Sequence, residues 1–212
     1  LFRNADGSLS LRRSDGVMDT YRALDGSNTA GALLSQTDDA GSLATYLYDH
    51  QGLLETAVDA LGRATDFSYD AAGRIASVTD FMGRTSRYEY DAAGRLVAST
   101  TPEVTGTPNG NDFPSGKRTE YTYEAIVADT SLRHNLIAIT APNEVASGGP
   151  PRVQISYGAD PASFDYDRVV SATIGTPPAV GGTMTFDYAP LNPGADPADP
   201  AVARRHTTVL DE

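Results

Sequence analysis

Through the middle of the chain, apolar and polar residues alternate in short runs, and each run ends at an Asp-x-x-Gly tetrapeptide. Residues two apart share a face of a strand. In Thr85-Ser86-Arg87-Tyr88-Glu89-Tyr90, Ser86, Tyr88 and Tyr90 therefore lie on one face, and Arg87 and Glu89 on the other, as surface positions. The companion run Arg74-Ile75-Ala76-Ser77-Val78-Thr79 is rich in β-branched residues, which suit strands. Asp70-Ala71-Ala72-Gly73, Asp80-Phe81-Met82-Gly83 and Asp91-Ala92-Ala93-Gly94 join such runs. Asp first and Gly fourth is the type I turn preference, Asp accepting backbone N–H groups and Gly73 or Gly94 permitting positive φ. No stretch sustains a 3.6-residue period with caps, so the chain reads as all-β.

The same elements recur every 21 residues. Tyr48-Asp49, Tyr69-Asp70 and Tyr90-Asp91 keep that spacing, as do Gly52, Gly73 and Gly94, and Gly62 and Gly83. Arg63, Arg74, Arg84 and Arg95 each follow one of these glycines. These are the structural repeat residues. Six segments carry an aromatic pair or a close variant: Tyr46/Tyr48, Phe67/Tyr69, Tyr88/Tyr90, Tyr121/Tyr123, Ile155/Tyr157 and Phe186/Tyr188. The last three stand 33, 34 and 31 residues after their predecessors, so each later unit holds an insert. Pro102–Gly116 and Pro142–Pro151, dense in Pro and Gly, read as those inserts in loop form. Four regions follow: a degenerate hairpin at 1–26, regular repeats at 27–101, hairpins with long inserts at 102–188, and a Pro-rich linker with a terminal strand at 189–212. One hairpin cannot bury its face alone. The expected fold is therefore a stack of hairpins forming one antiparallel sheet that coils as it grows.

Composition narrows the function. The 212 residues carry 16 Lys+Arg and 28 Asp+Glu, a formal charge of −12, which disfavours nucleic acid and anionic membrane surfaces. Cysteine is absent, so no disulfide or thiol chemistry is available. No apolar run is long enough for a membrane-spanning helix, and membrane insertion is not expected. The chain opens Leu1-Phe2-Arg3-Asn4 without an initiator Met, which reads as a processed chain or an excerpt. His50, His134 and His206 are the only histidines and show no metal-ligand spacing. The repeated aspartates match turn chemistry, with calcium as the alternative. The Tyr/Phe stripe matches cross-strand packing, with sugar stacking as the alternative. The arginines read as solvated or salt-bridged edges, with an anion ladder as the alternative. No catalytic, cofactor-binding or metal residues are assigned, no cofactor is expected, and the chain is read as not an enzyme.

Tyr-Asp-x-x-Gly-Arg-(Ile/Leu) at Tyr69–Ile75 and Tyr90–Leu96, with Thr-Asp-x-x-Gly-Arg-Thr at Thr79–Thr85, resembles the YD repeat of the RHS family. That family includes bacterial rearrangement-hotspot proteins, the C component of insecticidal toxin complexes and animal teneurins. The resemblance is specific over 48–102, looser over 27–47 and 119–142, and weak beyond about 150. It implies a β-solenoid-like shell wound around another segment of the same protein, commonly a toxin. The family's Asp-Pro-x-Gly type self-cleavage motif has no match at Asp160-Pro161, Asp196-Pro197 or Asp199-Pro200. The resulting expectation is a structural segment of a large secreted or cell-surface protein. Its partners would be flanking repeats or identical chains at the sheet edges, with an encapsulated polypeptide and a glycan as further candidates. The alternative is an extracellular adhesion module that binds glycans or proteins through the inserts at 102–118 and 142–152.

Overall fold

A computed structural model describes residues 1–125, 130–176, 179–190 and 204–211. Among the described residues sixteen strands follow one another: β1 (Phe2–Arg3), β2 (Leu9–Arg12), β3 (Met18–Tyr21), β4 (Leu33–Thr37), β5 (Leu43–Tyr48), β6 (Leu54–Val58), β7 (Ala64–Tyr69) and β8 (Ile75–Thr79) come first. Then come β9 (Thr85–Tyr90), β10 (Leu96–Thr100), β11 (Arg118–Tyr123), β12 (Leu136–Thr140), β13 (Val153–Tyr157), β14 (Val169–Thr176), β15 (Ala179–Pro190) and β16 (Arg204–Asp211). Strand order in the sheet is chain order, with β1 and β16 at the ends. Two compact units divide the chain, one of residues 1–88 with 101–115, the other of 89–100 with the residues from 116 onward. The all-β expectation holds, with two short exceptions: a 3₁₀ turn at Thr130–His134 and a helix, α1, at Pro142–Ser147. Much of the expected Pro-rich linker, residues 191–203, lies outside the described residues.

Alternation sorts the side chains onto two unlike faces. In the first unit one face pairs Tyr46 with Ala57, Ala57 with Thr65, Phe67 with Val78, and Val78 with Ser86. The second unit repeats this with Tyr121 against Ile139 and Ile139 against Val153. The other face is hydroxylic and charged. There Thr56 donates to Asp66 at 2.8 Å, and Ser68 meets Ser77 at 2.7 Å. Thr173 meets Thr183 there at 2.9 Å in the second unit. Glu89, expected as a surface residue, is exposed and is also an ion-pair partner of Arg118, which holds Glu120 at 2.9 Å. The i, i+2 pattern gave the face correctly, but the partner is 29 residues away and invisible to it.

No thick core forms. Among the described residues only Ala98, Leu132 and Ala138 are buried apolar side chains, and no large side chain is fully buried. Asp19, a buried charge, is held in a polar relay. Gln36 donates to it at 2.9 Å, Tyr46 donates to Gln36 at 2.7 Å, and Arg13 approaches at 3.3 Å. A buried carboxylate is tolerable only with such partners.

The ends of the ladders are closed by tyrosine. Between β5 and β6 the register runs Tyr46↔Ala57 and Leu47↔Thr56, then slips to Tyr48↔Leu54. The same one-residue slip falls at Tyr21↔Leu33, Tyr69↔Ile75, Tyr123↔Leu136 and Tyr157↔Val169. A bulge of this kind raises the local right-handed twist and leaves ladder groups unpaired. Tyr21 faces Asp19 on its own strand at 3.5 Å, but five other tyrosine hydroxyls reach back to the strand before their own, to a carbonyl lying beyond the paired register. Tyr48 donates to Leu33 O at 2.9 Å, Tyr69 to Leu54 O at 2.7 Å and Tyr123 to Leu96 O at 2.9 Å. Tyr157 donates to Leu136 O at 3.2 Å and Tyr188 to Val169 O at 2.8 Å. Burial raises the titration of the Tyr48, Tyr69 and Tyr157 phenols, which therefore remain donors at neutral pH.

Tyr69→Phe removes one such bond and leaves its carbonyl unmet, so it is expected to cost about 0.5–1.5 kcal/mol. Tyr88→Phe, at the first aromatic position of the next pair, is expected to stay within about 0.5 kcal/mol. Urea midpoints of the two variants check the difference, and equal losses would remove the hydroxyl from the account.

Candidate functional site

The repeated turns are the most ordered chemistry on the chain. In Asp70-Ala71-Ala72-Gly73, Gly73 N–H donates to Asp70 O at 3.0 Å and Asp70 N–H to Arg74 O at 2.9 Å. This is a type I turn closed by a left-handed residue, and Gly73 sits at φ +76°. The Asp70 carboxylate then serves three donors. Oδ1 accepts the Ala72 and Arg74 N–H groups, each at 2.9 Å, and Oδ2 accepts Arg74 Nε at 2.8 Å. Asp59 with Arg63, Asp80 with Arg84 and Asp91 with Arg95 repeat the arrangement, their Nε–Oδ2 distances being 2.7, 2.7 and 2.6 Å. Asp38 and Asp49 keep the two backbone bonds, but Ser42 and Leu53 stand where the arginine would be.

These bonds fix the electrostatics. The Arg74 and Arg95 backbone N–H groups, followed by their guanidinium groups, hold Asp70 and Asp91 below the usual carboxylate range. Asp59 and Asp80 are lowered first by the Arg63 and Arg84 side chains. Carboxylates spent in this way offer little to a cation. Among the described residues no cluster of three His, Asp or Glu could hold a metal. Nor do the arginines form a free anion ladder, because each clamp is an ion pair within its own turn.

The arginines also cover aromatic rings. Arg63 lies 5.3 Å over Phe81, Arg95 4.9 Å over Tyr123 and Arg168 5.2 Å over Tyr188. Arg95 additionally donates to Glu124 O at 3.3 Å and to Arg133 O, tying the segment after β11 to the repeat. Two open hollows adjoin these stacks. One, about 390 Å³, is lined by Tyr46, Ala57, Asp59, Arg63 and Phe81 in the first unit. The other, about 420 Å³, is lined by Arg95, Glu124, Thr130, Arg133 and His134 in the second. His50 is an exposed turn residue whose carbonyl accepts Asn28 Nδ2 at 3.1 Å, and His206 falls in β16.

The inserts are built rather than slack. In the arm between β10 and β11, Val104 and Phe113 exchange N–H···O bonds of 2.9 and 2.7 Å. Asp112 below the tip accepts Gly106 N at 3.0 Å, Thr107 N at 2.8 Å and Thr107 Oγ1 at 2.6 Å. The insert expected as a loop at 142–151 opens with α1. Pro142 is at its first turn and Gly148 caps it at φ +66°, with Gly149 N–H returning to Glu144 O at 2.8 Å. That Pro-first, Gly-last order was readable, but the density of both residues pointed to a loop. Two further insertions, at 124–135 and 158–168, are counted in the aromatic spacing but not located by it. The spacing reports only total length, so an insertion at one hairpin end cannot be told from one at the other. Gly158 marks the second: a Cβ there would stand 2.3 Å from Asp165 O.

The clamps make an acid-labile sheet. A carboxylate lowered in the folded state contributes fully above its unfolded value of about 4, and that contribution is lost as pH falls through the lowered value. Stability is thus expected to be level from about pH 7 to 5 and to fall below about 4. Asp70→Asn with Asp91→Asn should lower the plateau and flatten the fall. Far-UV circular dichroism across an acid titration checks both, and an unaltered acid limb in the double variant would contradict it.

The family profile described as RHS Repeat matches residues 28–64, 48–81 and 69–103. No curated protein matches the chain. Among solved structures, the TcdB2-TccC3-TEV crystal structure aligns at 16% identity and TM-score 0.53, over 86% of this chain and 9% of that one. A TcdB2-TccC3 structure without its hypervariable C-terminal region aligns at 17% identity and TM-score 0.43, over 76% and 9%. A Photorhabdus luminescens Tc holotoxin pore aligns at 14% identity and TM-score 0.22, over 84% and 13%. The first likeness is one of fold, and this chain spans only 9% of that neighbour's length. The clamped Asp-x-x-Gly-Arg turns lie inside the matched stretch, residues 28–103, which match the RHS repeat.

Proposed function

We propose that the chain is a wall segment of a larger secreted or cell-surface RHS protein, with a mechanical role of enclosing or displaying another part of that protein, such as a toxin. The observation that carries this reading is the use of the repeat's chemistry. The turn carboxylates, their arginines and the tyrosines that bond back to the preceding strand, such as Tyr69 and Tyr123, are all spent on holding hairpins together. A sheet with one aromatic face and one hydroxylic face, and almost no core, suits a partition between two environments. Flanking repeats are the partners that the strands at its ends call for, because unpaired edges template pairing.

The ordered inserts favour a second reading, an adhesion module that presents the arm at 102–118 and the segment at 142–152 to a glycan or protein. The two readings separate in the full-length protein. As a wall, the hairpins should shield a neighbouring segment from a protease that cuts that segment when it is isolated, and deleting 103–115 should leave the protection intact. As an adhesion module, the same deletion should abolish binding on a glycan or protein array. Equal cleavage of the segment with and without the hairpins would contradict the wall.

A further inference from the structure

We propose that Asn109, at the tip of the arm between β10 and β11, is a self-modification site that converts to an aspartyl or isoaspartyl residue with loss of ammonia. Asn109 is the one asparagine in the chain that precedes glycine. Gly110 presents its amide nitrogen without a side chain, sits at φ +69°, and has open space where a Cβ would be. The segment from Asn109 to Asp112 is exposed, so water and hydroxide reach it. Asn109 Oδ1 already accepts the Asn111 N–H at 3.2 Å. That donor is placed to hold the negative charge that develops on Oδ1 when Cγ is attacked.

The step balances within the chain and water. Gly110 N loses its proton to hydroxide and bonds to Asn109 Cγ. Water protonates Nδ2, regenerating hydroxide, the Cγ–Nδ2 bond breaks, Nδ2 departs as ammonia, and a five-membered imide remains. Water then opens either imide carbonyl, giving the aspartyl or the isoaspartyl form. The Gly110 N–H must first release Thr107 O, to which it donates at 3.0 Å, while the Val104–Phe113 pair keeps the arm closed below the tip. The product adds a carboxylate next to Asp112, which the Thr107 hydroxyl and the Thr107 and Gly106 N–H groups hold low in pKa. The isoaspartyl form also lengthens the backbone within the 107–110 turn. The arm is thus a surface whose charge and shape change irreversibly with time.

The test incubates the folded chain at neutral and alkaline pH and maps peptides by mass, with isoaspartyl methylation as a second readout. Asn109 is expected to convert at least about tenfold faster than Asn4, Asn28, Asn135 or Asn143, a margin of about 1.4 kcal/mol in barrier. The rate should rise with pH, and Asn109→Gln should abolish the signal from this peptide. Conversion of another asparagine first would overturn the proposal. So would an intact Asn109 in the folded chain over a period in which the urea-unfolded chain converts.

Discussion

Hairpins that bury so few side chains among the described residues cannot rely on burial alone, so their backbone polar groups have to be satisfied hairpin by hairpin. An unmet carbonyl or N–H at a ladder end costs free energy comparable to a lost hydrogen bond. Here the turns are met by aspartate, and the open end of the preceding ladder is met by tyrosine. Asp70 takes two N–H groups and one guanidinium, while Tyr69 crosses to the Leu54 carbonyl. The apolar pairs Tyr46–Ala57 and Phe67–Val78 add burial on one face only. Each hairpin therefore depends chiefly on the one before it, the condition under which a repeat array grows without a common core.

The period of 21 exposed most of this, because turn chemistry is local. Asp first, Gly fourth and Arg fifth sit within five residues, so the residues that make the clamp are neighbours in sequence. The tyrosine bond was legible only in part. Tyr69 and Leu54 are 15 residues apart and on different strands. A signal did exist: the second aromatic position is tyrosine in all six pairs, whereas the first accepts Tyr, Phe or Ile. A position that tolerates no Phe requires a hydroxyl, and packing alone does not. The Glu89–Arg118 pair and the insertions at 124–135 and 158–168 left no comparable trace, since their spacing is set by loops of irregular length.

The same economy explains the reading of the candidate site. Aspartates, arginines and tyrosines in rows resemble metal, anion and sugar sites, yet each row is consumed by its own hairpin. What the repeat does not consume lies where it departs from itself. Leu61, Phe81 and Met82 are exposed at turn tips where the intervening turns carry Ala71-Ala72 and Ala92-Ala93. The inserts likewise add surface without altering the ladders they interrupt. Turns closed in this way vary at their tips while their backbone bonds stay the same.

Native-state hydrogen exchange in the first unit tests the central claim that closure is local and additive. If each hairpin is held by its predecessor, opening free energies should fall in steps from β5–β8 toward β1, whose ladder has only the pairs Phe2↔Ser10 and Arg3↔Leu9. One common opening free energy for every strand of that unit, β1 included, would show a single cooperative core and contradict the account.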